Sequence, residues 1–170
     1  MSVVEASPAS LPPEAYVAAL AGFSGMNVHR LGALLRHHPP PEAWQVVQGE
    51  HPCGGLIARV LASSDVRGAW RRCALTRPPA AVWQQCQQLG IAVLPYGHSL
   101  YPAGLLDDPL PPPVLFARGD LGLLAGRRVA IVGTRNATAS GRATAHSLGM
   151  GLAAAGVHVV SGLARGVDGH

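Results

Sequence analysis

The chain has 170 residues, 48% of them hydrophobic and only 13% charged, with 21 glycines and 15 prolines. That is enough for one domain, or one plus a small second, with ample core material and many loops. Three cysteines without a C-x-x-C pair exclude a disulfide framework or a zinc site of the usual spacing, leaving buried free thiols in a reducing cytosol as the expectation.

All 13 basic residues are arginine. Codon bias is the plainer account of that, and selection for bidentate phosphate contacts the functional one. Their distribution says more. Residues 1–126 carry eight arginines and eight acids, net zero, whereas residues 127–170 carry five arginines against Asp168 alone, net +4. The excess is local and suits an anionic ligand. The eight histidines are scattered, and adjacent His37 and His38 diverge on a helix, which does not suit a metal site.

Residues 1–10 read as disordered, and they lack the basic and apolar regions of a signal peptide. "PPEAYVAALAGF" begins a helix, with proline and glutamate at its start and Tyr16, Ala19, Leu20 and Phe23 at helical spacing. "NVHRLGALLRHH" predicts a second, in which Val28, Leu31, Leu34 and Leu35 share a face. "PPPEAWQVV" starts a third, and residues 56–75 and 79–89 read as further helices. Residues 11–78 are therefore expected to form a small helical domain.

The pattern changes at Gly90. Short strands are predicted at 91–94 and 114–117, joined by a proline-rich connection. A strand at 129–132, a loop at 133–140, a helix from about Ser140 to Ala155 capped by Gly156, and a strand in 157–162 make a parallel strand–helix–strand unit. The 148–164 stretch lacks charge but breaks at Gly156 and is short for a membrane span. Asp168 suits the cap of a following crossover helix. Residues 79–170 thus read as the first half of a Rossmann-like domain, truncated from a longer α/β protein. The expected class is α/β, a partial extended Rossmann-like parallel sheet preceded by a small helical domain.

Ligands bind at the carboxyl ends of parallel strands. Two loops leave such ends here, "GTRNATAS" and "SGLARGVDG". The candidate phosphate-binding residues are Gly133, Thr134, Arg135 and Ser140 in the first, and Ser161, Gly162 and Arg165 in the second. The helix opening near Ser140 points its positive end at the same place. Arg135 stands where a dinucleotide fingerprint needs a small residue, and no Walker-type loop is present, so a pyrophosphate cofactor does not fit. No cofactor, metal or catalytic residue is assigned. Spacing alone fits a loop-tying surface arginine at 135 as well as a phosphate ligand, and Arg142 could serve either way.

"VAIVGTRNATASG", "LAAAGVHVVSGLARGVDGH" and the lead-in "GIAVLPYGHSLYPAGLLDDPLPPPVLFARGDLGLL" resemble the DNA-processing protein A family (DprA, also called Smf). "GFSGMNVHRLGALL" resembles that family's N-terminal helix–hairpin–helix-like segment, with Ser24-Gly25 in place of the usual glycine–proline run. Ser140 also stands where the family often has tyrosine. The resemblance implies a cytoplasmic, non-enzymatic protein that binds single-stranded DNA in a basic pocket. It implies protection of incoming strands in natural transformation, help in loading RecA recombinase, and a possible homodimer. It places Arg135 in the pocket wall and Ser161-Gly162 and 166–168 on the second loop of the rim. Two alternatives stand beside it: a nucleotide-processing hydrolase on a similar sheet, and an inert truncated relative.

Overall fold

The computed structural model describes residues 11–124 and 126–169; the disorder expected of residues 1–10 falls outside them. Contacts divide the chain into two compact units, one ending at Gly119 and one starting at Asp120. The sequence-based division after residue 78 lies elsewhere, because the elements that follow it pack onto the first helices.

The first unit holds α1 (Pro13–Ala21), α2 (Val28–His37), α3 (Pro40–Gln48), α4 (Gly55–Ala62), α5 (Ser64–Thr76), α6 (Pro79–Gln88), β1 (Ile91–Pro95) and β2 (Val114–Arg118). Prolines open α1, α3 and α6, where a missing N–H costs nothing. Asn27 caps α2, its side chain accepting from the Arg30 N–H at 3.0 Å. The helix expected over 56–75 is two helices. Ser63 is extended (φ −70°, ψ 120°), ending α4 and starting α5, and the Ser63-Ser64-Asp65 run is the kind that competes for backbone bonds and favours a helix start.

Helix α1 is central. Ala15, Val17, Ala18, Ala19 and Leu20 are all buried, and α3, α6 and β1 pack around it. Beside it Phe23 meets Trp44 and Trp70 edge-to-face, with ring centroids 5.5 and 6.4 Å apart. Trp70 is fully buried, and its indole N–H donates to the Ser24 carbonyl at 3.1 Å. Arginines serve as caps: Arg71 donates to the Gln48 carbonyl that ends α3, and Arg77 to Gly22 just past α1, each at 3.0 Å. Strands β1 and β2 pair antiparallel, Ile91 opposite Arg118 and Pro95 opposite Val114. The proline-rich connection between them is pinned by the Tyr101 hydroxyl, which donates to Pro112 at 2.8 Å. Burial, helped by Tyr96 and Asp108, pushes the Tyr101 phenol above its ordinary value of 10.0.

The second unit holds a 3-10 turn (Leu121–Leu124), β3 (Arg128–Ala130), α7 (Ala139–Ala154), β4 (His158–Val160) and a 3-10 turn (Val167–Gly169). β3 and β4 are parallel, Arg128 opposite His158 and Ala130 opposite Val160, as the strand–helix–strand reading requires. Both are shorter than expected. Each has one neighbour among the described residues, so the ladder ends where the loops diverge, one bond further on at Ile131 N–H to Val160 (3.0 Å). Helix α7 starts at Ala139 because Thr138 caps it, its hydroxyl oxygen accepting from the Gly141 N–H at 3.1 Å. Gly156, at φ 69°, takes the left-handed turn past its end. No helix among the described residues is long and apolar enough to cross a membrane.

Candidate nucleic-acid interface

The two loops at the carboxyl ends of β3 and β4 come together and interlock. The Gly133 N–H donates to the Asp168 carboxylate at 3.1 Å, and the Val167 N–H donates to the Thr134 carbonyl at 3.2 Å. The Ser161 hydroxyl donates to the Asp168 carbonyl at 3.0 Å. Glycines make the approach possible. A Cβ on Gly166, itself at φ 91°, would lie 2.1 Å from the Thr134 carbonyl oxygen and 2.8 Å from the Arg135 backbone. A Cβ on Gly133 would lie 2.7 Å from the Val167 side chain. Gly166 follows Arg165 in the chain, so this contact brings the backbones carrying Arg135 and Arg165 to one rim.

The seven sequence-derived residues fare differently. Arg135 and Arg165 are exposed, and neither side chain has a partner among the described residues. Thr134 is exposed, its hydroxyl oxygen accepting from the Asn136 N–H at 3.2 Å while its proton stays free to donate. Ser140 sits in the first turn of α7, where the N–H groups have no intrahelical acceptor. Gly133 and Ser161 are committed inside the rim: the donors that each would offer a phosphate go to Asp168 instead. Gly162 faces the same carboxylate, with a Cβ there falling 3.0 Å from Asp168 Oδ2.

Asp168 has a role that the sequence reading did not assign. It was expected to cap a helix. It lies in a 3-10 turn and clamps the first loop to the second across 35 positions. The signal available was the spread of glycines over both loops, at 133, 162 and 166, which marks close backbone approach without naming the clamp. Leu163 was also missed. It takes φ 53° and is 86% exposed, a left-handed non-glycine residue in the second loop. The open question about Arg142 is answered: its guanidinium donates to the Ala137 carbonyl at 2.6 Å and ties the loop to α7. Arg128 likewise turns away, donating to Leu124. No group of three or more metal-ligating side chains comes together among the described residues, His37 and His38 included.

The class defined so far is a mixed helix-and-strand protein whose candidate site is built from two backbone loops and two free guanidiniums. Comparison with known proteins narrows it. Residues 92–170 match the family model of DNA recombination-mediator protein A. Over 84 residues the chain is 44% identical to the DNA processing protein DprA of Bacillus subtilis (strain 168), an alignment covering 49% of this chain and 28% of that protein. The fold is similar to the X-ray structure of DNA processing protein A (DprA) from Streptococcus pneumoniae, with a TM-score of 0.58 at 20% identity, covering 94% of this chain and 52% of that one. Residues 92–170 are therefore similar to the DNA recombination-mediator protein A family. It spans about half the length of the solved relative.

Proposed function

We propose that this chain is a single-stranded DNA-binding module acting in DNA processing during natural transformation, and that its ligand is the phosphodiester backbone. The observation that carries the reading is the division of labour on the rim. Gly133 and Ser161 spend their donors holding the loops together, and Arg135 and Arg165 are left exposed with no side-chain partner among the described residues. Free guanidiniums on a rigid backbone frame suit an extended, repeating anion. In this reading β3, α7 and β4 are part of a Rossmann-like sheet, and the helices of 11–78 are of the helix–hairpin–helix-like kind, packed with α6, β1 and β2 in the first unit. Protection of the strand, its delivery to RecA recombinase, and a homodimer are the wider role that the family reading supplies.

The hydrolase alternative is disfavoured by a specific contact. It needs a carboxylate poised at a glycosidic bond, and the carboxylate available on the rim, Asp168, is bound to the Gly133 N–H.

Titration of fluorescent oligothymidine with the purified chain at several salt concentrations, with a duplex of equal length alongside, tests the reading. It predicts preference for the single strand and a log–log salt slope of about −0.7 per phosphate neutralised. Absence of binding by a folded chain, or turnover of a nucleotide, contradicts it.

A further inference from the structure

Within the first unit a pocket of about 440 Å³ lies between α2 and the proline-rich segment that precedes β2. That is the size of a small-molecule site, for which the usual range is roughly 300–1,000 Å³. Its walls are apolar, with Val17 and Leu35 on one side and Pro113 on the other. Its polar side chains are few, and Arg36 is the charged one. Arg36 and His29 line it, both exposed, and the Arg36 side chain has no partner among the described residues. Helix α2 carries His29, Arg30, Arg36 and His37 and no acid. The acid next in sequence to the pocket, Asp108, is engaged by the Leu110 N–H at 2.7 Å.

Two further features suit a planar ring. Tyr96 lines the pocket and is half exposed, with Tyr101 against it in a T-shaped contact (5.6 Å between centroids, 71° between planes). Gly32 sits on the pocket side of α2, inside the helix, where glycine costs about 1 kcal/mol relative to alanine. No turn explains it, since its φ lies outside the left-handed region, and a Cβ there would make ordinary contacts with Pro113 Cγ at 3.6 Å and Arg36 Nη1 at 3.9 Å. Alanine would fit and favour the helix. What glycine secures is an open floor between α2 and Pro113.

We infer that this pocket takes a nucleotide, its base against Tyr96 and the proline wall and its phosphate on Arg36. A stacking aromatic beside a lone guanidinium is how bases and phosphates are held together. An apolar peptide side chain would use the walls and leave Arg36 idle. The inference stands apart from the rim of the second unit, and its test separates the two.

Equilibrium dialysis of the full chain against radiolabelled dTMP is the direct experiment. Retention of dTMP is expected, with thymidine and inorganic phosphate each competing poorly. Arg36→Ala, a surface change, should weaken retention about tenfold or more, the worth of one charge-assisted hydrogen bond. Gly32→Leu should abolish it by filling the floor. The double variant Arg135→Ala/Arg165→Ala should retain dTMP as the parent does. Displacement of dTMP by oligothymidine would assign the pocket to a nucleotide within a strand, and failure to displace would assign it to the free nucleotide; either supports the site. No retention at millimolar dTMP, or retention that survives Arg36→Ala and is lost with Arg135 and Arg165, overturns it.

Discussion

The two units of this chain are stabilised in different ways. The unit up to Gly119 is built around large, fully buried side chains, among them Trp70, Leu20, Leu34 and Leu94. In the unit from Asp120 on, the buried apolar side chains among the described residues are Ala145 and Val157, while Val132, Leu148, Met150, Val160 and Leu163 are exposed. Its order rests instead on backbone bonds: a short parallel ladder and the interlock between the 133–136 and 161–168 loops. Two-stranded sheets are marginal on their own. In this unit polar contacts, and not large buried side chains, fix the two loops against each other. The same economy leaves such a site sensitive to single backbone changes.

The contrast can be broken from either side. Trp70→Ala removes the aromatic that joins Phe23 and frees the Ser24 carbonyl. It should cost about 3–5 kcal/mol in urea unfolding of the first unit. A loss under 1 kcal/mol would mean the first unit is less dependent on its core than its burial implies.

Gly166→Ala attacks the second unit where it is held. The added methyl cannot coexist with the Thr134 carbonyl, and φ 91° is strained for alanine. The expected cost is about 1–3 kcal/mol, confined to that unit. Hydrogen exchange would show it as lost protection at the Ile131 and Val167 N–H groups, with α1 unchanged. Unchanged protection at Val167 would mean that the interlock does not hold the loops.

The smallest effect sharpens the first unit. Burial raises the Tyr101 phenol above 10.0, so the folded chain keeps a proton that the unfolded chain releases. That contribution is whole below about pH 10 and is lost as pH rises beyond it. Tyr101→Phe should flatten the alkaline fall in stability, and an unchanged alkaline limb in denaturant titrations would remove Tyr101 as its cause.

Much of this was legible in the sequence, and unevenly so. The starts of the proline-led helices were readable because proline acts locally, within a turn of where it stands. The strands read at 114–117 and 129–132 from their β-branched and aromatic content fall at Val114–Arg118 and Arg128–Ala130. The break at Ser63 was missed because the apolar spacing runs through it. The commitments of Gly133 and Ser161 were not readable either. They depend on Asp168, a partner 35 positions from Gly133, and only the folded chain brings it there. Arg135 and Arg165 were picked out by type and loop position; in the folded chain both are exposed, and neither side chain has a partner among the described residues.

The central claim is that the free guanidiniums of the rim are what meets DNA. The most direct measurement compares oligothymidine binding, over a range of salt, by Arg135→Ala/Arg165→Ala and by Arg67→Ala/Arg72→Ala, an exposed pair in α5 that removes the same charge. The account predicts that the rim variant loses affinity and that its salt slope falls by about 1.4, two phosphates at roughly 0.7 each, while the control keeps the parent slope. Equal losses in the two variants, or a parent slope in the rim variant, would contradict it.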